Sequence, residues 1–252
     1  MKTHRLAALA LCSLTPAMVH ATEVCTALAD AATGRLLLER GDCRSRVTPA
    51  STFKIAIGLM GYDAGILQDM HTPLLPFRPG YVDWQPSWKE DTDPAKWMRD
   101  SVVWYSQQVT QALGPARFGA YVRQFEYGNQ DVSGDAAHEG LTLSWIGSSL
   151  KISPVEQLDF LGRLTGKRLG VSDQAYAMTA ALTSYGTVAG WELHGKTGAS
   201  SGWGWYVGWA TRDGRTLTFA RLVRSDASRP QGVSTGVWAR DAFLAELTAL
   251  LP

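Results

Sequence analysis

The sequence predicts an α+β fold: an antiparallel sheet built from N- and C-terminal strands, flanked by helices, with a mainly helical second subdomain. Three observations carry this expectation. Residues 25–43 read as a β-hairpin. Residues 191–224 read as a strand followed by a second hairpin. Between them, apolar residues recur with helical spacing. Strands at both ends with helices enclosed between them imply that the two ends of the chain close one sheet.

The elements follow in order. Thr26, Leu28 and Ala31 lead into a turn at Thr33 and Gly34, and "RLLLE" returns. Cys25 and Cys43 lie equally far from Gly34, so they face each other near the open end of this hairpin. A disulfide is the expectation, with two buried free thiols as the alternative. "PASTFKIAIGLM" reads as a buried helix starting at Ser51, apolar nearly all round. Residues 68–100, rich in Pro, Trp and Asp, read as ordered loops with short helices. "VVWYSQQVTQALG" has helical spacing and stops at Gly114, and a second helix restarts on Pro115. "YGNQDVSGD" is turn-rich. "SPVEQLDFLGRL" opens with a capping box of Ser153 and Glu156, and "DQAYAMTAALT" is another helix. "WELHGKTG" alternates as a strand. Asp213-Gly214 between two apolar runs marks a tight hairpin. "TGVWARDAFLAELTALL" reads as one closing amphipathic helix.

Composition narrows the classes of function. The chain has 252 residues and is 45% apolar, enough for a substantial core. A net charge of +1 offers no basic surface for nucleic acid. At the N-terminus, Lys2, His4 and Arg5 precede a short apolar run ending in "VHA", the pattern of an export signal cleaved after Ala21. Residues 1–21 then form the signal and residues 22–252 a single domain. Loss of Lys2 and Arg5 leaves a mature charge of −1. The expected location is the periplasm, with no membrane association after cleavage and a monomer or homodimer as the assembly.

Lys54 raises the chemical question. It lies among Phe53, Ile55, Ala56 and Ile57, three residues after Ser51 and on the same helical face. A buried ammonium without a partner is costly. Two readings are open: a core lysine that snorkels outward, or half of a Ser-x-x-Lys nucleophile and base. No H-E-x-x-H or paired C-x-x-C occurs, so no metal is expected. His71, His138 and His194 read as surface or turn residues. Further short motifs follow in order: Ser101-Val102-Val103, Tyr127-Gly128-Asn129, "WIGSSL" from Trp145, and Lys196-Thr197-Gly198 on a strand.

This ordered set resembles the penicillin-recognising serine enzymes, and specifically the class D β-lactamases (oxacillinases), from about Cys25 to Leu250. The resemblance implies acyl transfer onto Ser51, with Lys54, Ser101 and Lys196 completing the catalytic group. It implies an oxyanion hole from the backbone N–H groups of Ser51 and Ala199. Thr197, Gly198 and Arg240 would bind the substrate and its carboxylate, with a structural ion pair as the alternative for Arg240. No glutamate motif for deacylation is present, and the second motif, Ser101-Val102-Val103, is apolar where an amide could sit. By the family's pattern, Lys54 takes up CO2 as a carbamate, N6-carboxylysine, held by Trp145 in a pocket with Val103 and Phe53. Trp145 also reads as a core aromatic. The connection "ASSGWG" after Lys-Thr-Gly is short, and its length and Trp203 bear on which side chains a substrate can carry. The implied partners are small-molecule β-lactams. Alternatives sharing the same motifs are a penicillin-binding peptidase and a β-lactam sensor domain, each forming a long-lived acyl adduct. A non-enzymatic α+β binding module is the bland alternative.

Overall fold

The computed structural model describes residues 23–226 and 228–251. The expected export signal, residues 1–21, lies outside the described residues.

Strands β1 (Glu23–Asp30) and β2 (Leu36–Gly41) form the first hairpin. Its turn is set by Asp30, whose carboxylate accepts from the Thr33 N–H and hydroxyl, and by Gly34 at φ +70°. Cys25 and Cys43 are bonded, with Cα atoms 5.0 Å apart. Closing 18 residues removes about 3 kcal/mol of freedom from the unfolded chain.

The helix expected from Ser51 begins one turn later. Residues Ala50–Phe53 form a tighter 3₁₀ turn, and α1 runs over Lys54–Asp63. The Thr52 N–H and hydroxyl both bond the Pro49 carbonyl, which keeps the turn tight. Helix α2 (Pro94–Asp100) is capped by Asp93. Helix α3 (Val103–Gln124) bends at Gly114, at φ 74° and ψ 162°, so the expected stop and restart form one kinked element. The turn-rich segment folds into a small ribbon, β3 (Gly134–Asp135) with β4 (His138–Glu139), and a single turn α4 (Gly140–Leu143). Helix α5 (Pro154–Thr165) carries the expected capping box, and α6 (Asp173–Thr183) is capped by Ser172.

Strand β5 (Ser184–Val188) was not expected; "SYGTV" shows no apolar alternation because it is an exposed edge. Strands β6 (Trp191–Ala199), β7 (Trp203–Arg212) and β8 (Arg215–Arg224) follow, the last two joined through Asp213 and Gly214, both at positive φ as the tight hairpin requires. The closing helix is two pieces, α7 (Thr235–Ala245) and α8 (Leu247–Leu250), broken at Glu246. At that break the Glu246 carboxylate meets Arg221, 3% exposed, and Arg40; both arginines also pair with Glu23. This ring of charges ties the first strand to the last helices.

The sheet has the order β2-β1-β8-β7-β6-β5, antiparallel throughout. One face is covered by α7 and α8 through Trp238, Phe243 and Leu247 against Leu193, Tyr206 and Phe219. The other carries Val207, Trp209, Ala220 and Leu222 into the larger core, shared with α1, α3, α5 and α6. Strand β5 pairs with β6 only as far as His194, so residues 195–199 of β6 have a free edge. The Ser200 N–H bonds the Trp203 carbonyl at 3.0 Å and closes the β6–β7 turn. Bonded and non-bonded pairs alternate along an antiparallel ladder. Ala199, opposite Gly204, and Thr197, opposite Tyr206, therefore turn their N–H and C=O groups away from β7, onto the free edge.

Candidate active site

The free edge of β6 packs beside the 3₁₀ turn that presents Ser51. Gly198 marks how closely: a Cβ there would lie 2.8 Å from the Pro49 carbonyl and 3.1 Å from the Thr52 nitrogen. Only a glycine lets strand and turn approach this far. The half-buried Ser51 thus sits beside a backbone edge offering the Ala199 N–H.

Lys54 answers its two readings. It is 0% exposed, so it does not snorkel. Its Nζ donates to Ser51 Oγ at 3.1 Å. Around it stand Phe53, Val102, Val103 and Trp145, all 2% exposed or less. Burial, and secondarily the Lys196 charge, hold the Lys54 amine well below the ordinary lysine range, in favour of the neutral form.

Ser101 ends α2 in the left-handed region, at φ 62° and ψ 33°, a strained conformation for a residue with a side chain. The strain turns the chain sharply between α2 and α3. Lys196 Nζ reaches Ser101 Oγ at 2.8 Å and the Thr197 carbonyl at 3.0 Å. Burial, then the positive charge of Arg240, push Lys196 down to about 7. Ser51, Lys54, Ser101 and Lys196 are thereby brought together from three separate stretches of chain.

Trp145 is fully buried, with its ring centroid 5.5 Å from that of Phe53. Its indole N–H has no acceptor among the described residues. A buried donor left unpaired costs about 1–3 kcal/mol, so this one is available to an acceptor inside the pocket. The pocket wall is held by residues that sequence reasoning left without a role. Thr48 Oγ1 donates to the Trp145 carbonyl at 2.7 Å and accepts from the Gly147 N–H at 3.0 Å, while its own carbonyl accepts the Trp205 indole. Asn129 clamps the same loop through the Ser149 carbonyl and the Lys151 N–H. Gln157 ties Tyr127 to Thr52. Their signal lay in "YGN", read only as a family mark; Thr48 gave no signal, since a threonine in a loop is common.

The core face of α7 runs through Ala239 and Phe243, while Arg240 is half-buried beside it and pairs with the adjacent Asp241 at 2.9 Å. The structural ion pair therefore exists, yet Arg240 is also near enough to depress Lys196. His194 is not a surface residue: its ring stacks on Trp209 at 4.7 Å and its Nδ1 is bonded to the Ala180 carbonyl. His71 and His138 each meet an aspartate away from the cluster, Asp93 and Asp135.

A family model for the penicillin-binding protein transpeptidase domain matches residues 24–242. The β-lactamase OXA-9 of Klebsiella pneumoniae is 45% identical over 247 residues, spanning 90% of this chain and 88% of the relative. The β-lactamase OXA-1 of Escherichia coli is 38% identical over 71% of this chain and 65% of its own length. Among solved structures, the class D β-lactamase OXA-427 superposes with a TM-score of 0.85 at 42% identity, covering 90% of this chain and 98% of that one.

Proposed function

The chain belongs to the penicillin-binding protein transpeptidase family and, within it, to the class D β-lactamases, and from that premise we propose that it hydrolyses β-lactam antibiotics through an acyl-enzyme on Ser51. The observation that carries the reading is the 3.1 Å contact between Ser51 Oγ and a fully buried Lys54 amine.

Acylation begins as Ser51 Oγ attacks the lactam carbonyl, its proton leaving toward the Lys54 nitrogen. The developing oxyanion is met by the Ser51 and Ala199 N–H groups. As the lactam C–N bond breaks, the Ser101 hydroxyl protonates the nitrogen and is resupplied by Lys196. Thr197, Gly198 and Arg240 hold the substrate carboxylate at the positive end of the cleft. Water then attacks the ester carbonyl, the Ser51 C–O bond breaks, and Ser51 regains its proton.

Bound to Lys54 as a carbamate, CO2 supplies a carboxylate base where the free side chain offers an amine. The residues fit that group. Burial favours the neutral amine, the form that adds CO2, the surrounding Phe53, Val103 and Trp145 are buried, and the Trp145 indole N–H, without an acceptor among the described residues, can hold an anionic oxygen. An anion there also favours a charged Lys196.

Intact-mass spectrometry through a time course with benzylpenicillin tests the function. The expected result is a transient adduct on Ser51 with excess hydrolysed product. A persistent adduct without turnover would assign the chain to the peptidase or sensor class instead.

Arg240→Ala is expected to raise KM for carboxylate-bearing β-lactams about tenfold with little change in kcat, as for loss of a charge-assisted contact. Steady-state kinetics check this; unchanged kinetics with a lower Tm would reduce Arg240 to the partner of Asp241. The export pattern of residues 1–21 and the Cys25–Cys43 bridge support a periplasmic location. Among the described residues no helix is long and apolar enough to cross a membrane.

A further inference from the structure

Helix α7 meets the sheet backbone to backbone beside the site. Its first turn is Thr235, Gly236 and Val237, capped by Ser234, whose hydroxyl accepts from the Val237 N–H at 3.3 Å. A Cβ at Gly236 would lie 2.6 Å from the Gly198 carbonyl oxygen and 3.1 Å from the Gly198 nitrogen. On the neighbouring strand, a Cβ at Gly204, opposite Ala199, would collide with the Thr235 carbonyl. Neither Gly204 nor Gly236 has a positive φ. The missing side chains therefore serve the close approach and not the backbone angle.

Gly198 is enclosed from both faces of the sheet. Side chains alternate along β6. Leu193 faces α7, so position 198 faces the other way, onto the Pro49 carbonyl and the Thr52 nitrogen of the turn presenting Ser51. Three backbones are thus stacked: the first turn of α7, β6 at Gly198, and the Ser51 turn. Backbone has no rotamer with which to absorb an extra atom, and a packed interior transmits the displacement. Helix α7 is anchored in the core by Trp238, Phe243 and Leu247, whereas β6 beyond His194 is paired on one side alone. A methyl group at Gly236 therefore moves the strand rather than the helix, and the strand presses on the Ser51 turn. Ala199, which offers the second oxyanion donor, follows Gly198 directly.

Resting on the lactamase reading above, we propose that Gly236 is a positioning residue for the reaction: its contact with Gly198 sets the spacing of the Ser51 and Ala199 N–H groups. It touches no reacting atom and acts through the strand. Donors stabilise a tetrahedral oxyanion to the extent that they already stand at the right distance from it. The effect should appear in every step that passes through such a species.

Gly236→Ala tests this with two probes: benzylpenicillin, and phenylacetamidomethylboronic acid, which adds to Ser51 as a tetrahedral anion without turnover. Relative to the wild type, kcat/KM and boronate affinity are expected to fall together by about tenfold, short of the roughly 10²–10³ lost when an oxyanion donor is removed outright. A lower Tm should not accompany the loss, because alanine favours a helix over glycine. Ala245→Gly, at the exposed end of α7, is the control: it should lower Tm and leave kcat/KM and boronate affinity at the wild-type level. A Gly236→Ala protein that keeps wild-type boronate affinity, or one that does not fold, would overturn the positioning role and leave Gly236 a packing residue. A wild-type enzyme that binds the boronate but does not turn over benzylpenicillin would count instead against the function proposed above, and the boronate ratio would still judge Gly236.

Discussion

Ser51→Ala is expected to abolish turnover of every β-lactam, a loss of at least about 10⁴ in kcat/KM, and to eliminate the covalent adduct. The size follows from the chemistry. Without the hydroxyl there is no atom to form the ester, and what remains is the binding and oxyanion stabilisation that a nucleophile-deficient site offers to water. The fold should survive, because among the described residues the hydrogen bond of the Ser51 hydroxyl is to Lys54 and the 3₁₀ turn is held by Thr52 and Pro49. Intact mass with benzylpenicillin, together with a melting curve, checks both halves. An adduct retained at another residue would overturn the assignment of the nucleophile.

The second large effect is expected at Lys54. Lys54→Ala should remove both acylation and deacylation, since the Lys54 amine is the base in hydrogen-bond contact with Ser51. Wild-type activity should also depend on dissolved CO2 and on pH in a defined direction. Burial lowers the Lys54 pKa, so the neutral amine is the favoured form well below the ordinary lysine range. Acidification protonates the amine and drives CO2 off, so activity falls on the acid side. At fixed, mildly acid pH it should return when bicarbonate is added. Trp145→Phe keeps the packing against Phe53 but removes the indole donor. It should weaken CO2 retention and slow deacylation more than acylation, by about 10-fold or more for one charge-assisted hydrogen bond lost. ¹³C NMR with labelled CO2 gives a readout independent of activity: one carbamate signal in the wild type, lost in Lys54→Ala. Absence of that signal together with indifference to bicarbonate would leave Lys54 acting as a neutral amine.

The Lys54 result also bears on Lys196. In the structure its pKa stands at about 7, pushed down by burial and by Arg240. A neutral lysine donates less well to Ser101 than a charged one. Loss of the anion at Lys54 would therefore weaken the protonation of the leaving nitrogen as well as the attack, and the two defects should deepen together as CO2 is withdrawn.

Much of the fold was legible in sequence because it is local. The first hairpin turn is written in Asp30, Thr33 and Gly34, the β7–β8 turn in Asp213 and Gly214, and the start of α5 in the reciprocal bonds of Ser153 and Glu156. Each is fixed by residues within a few positions of one another. Strand β5 was not legible, because an exposed edge carries no apolar alternation. Nor was the break at Glu246, where a helical pattern continues but the carboxylate serves two arginines from distant strands.

The same division runs through the site. The sequence by itself determined which residues share a helical face, as Ser51 and Lys54 do, and the order of the short motifs. Only the tertiary structure decided that Lys196 meets Ser101, 95 positions away, that Thr48 and Asn129 hold the loop carrying Trp145, and that Arg240 stands near enough to depress Lys196. It also decided that the Ala199 N–H faces the free edge, since that direction depends on the parity of the β6–β7 ladder and on where β5 stops pairing. The physical reason is range. Turns, caps and helical faces are set by bonds and sterics along the chain. Burial, the depressed lysine pKa values and the pairing of distant polar groups exist only once separate elements exclude water from a common space.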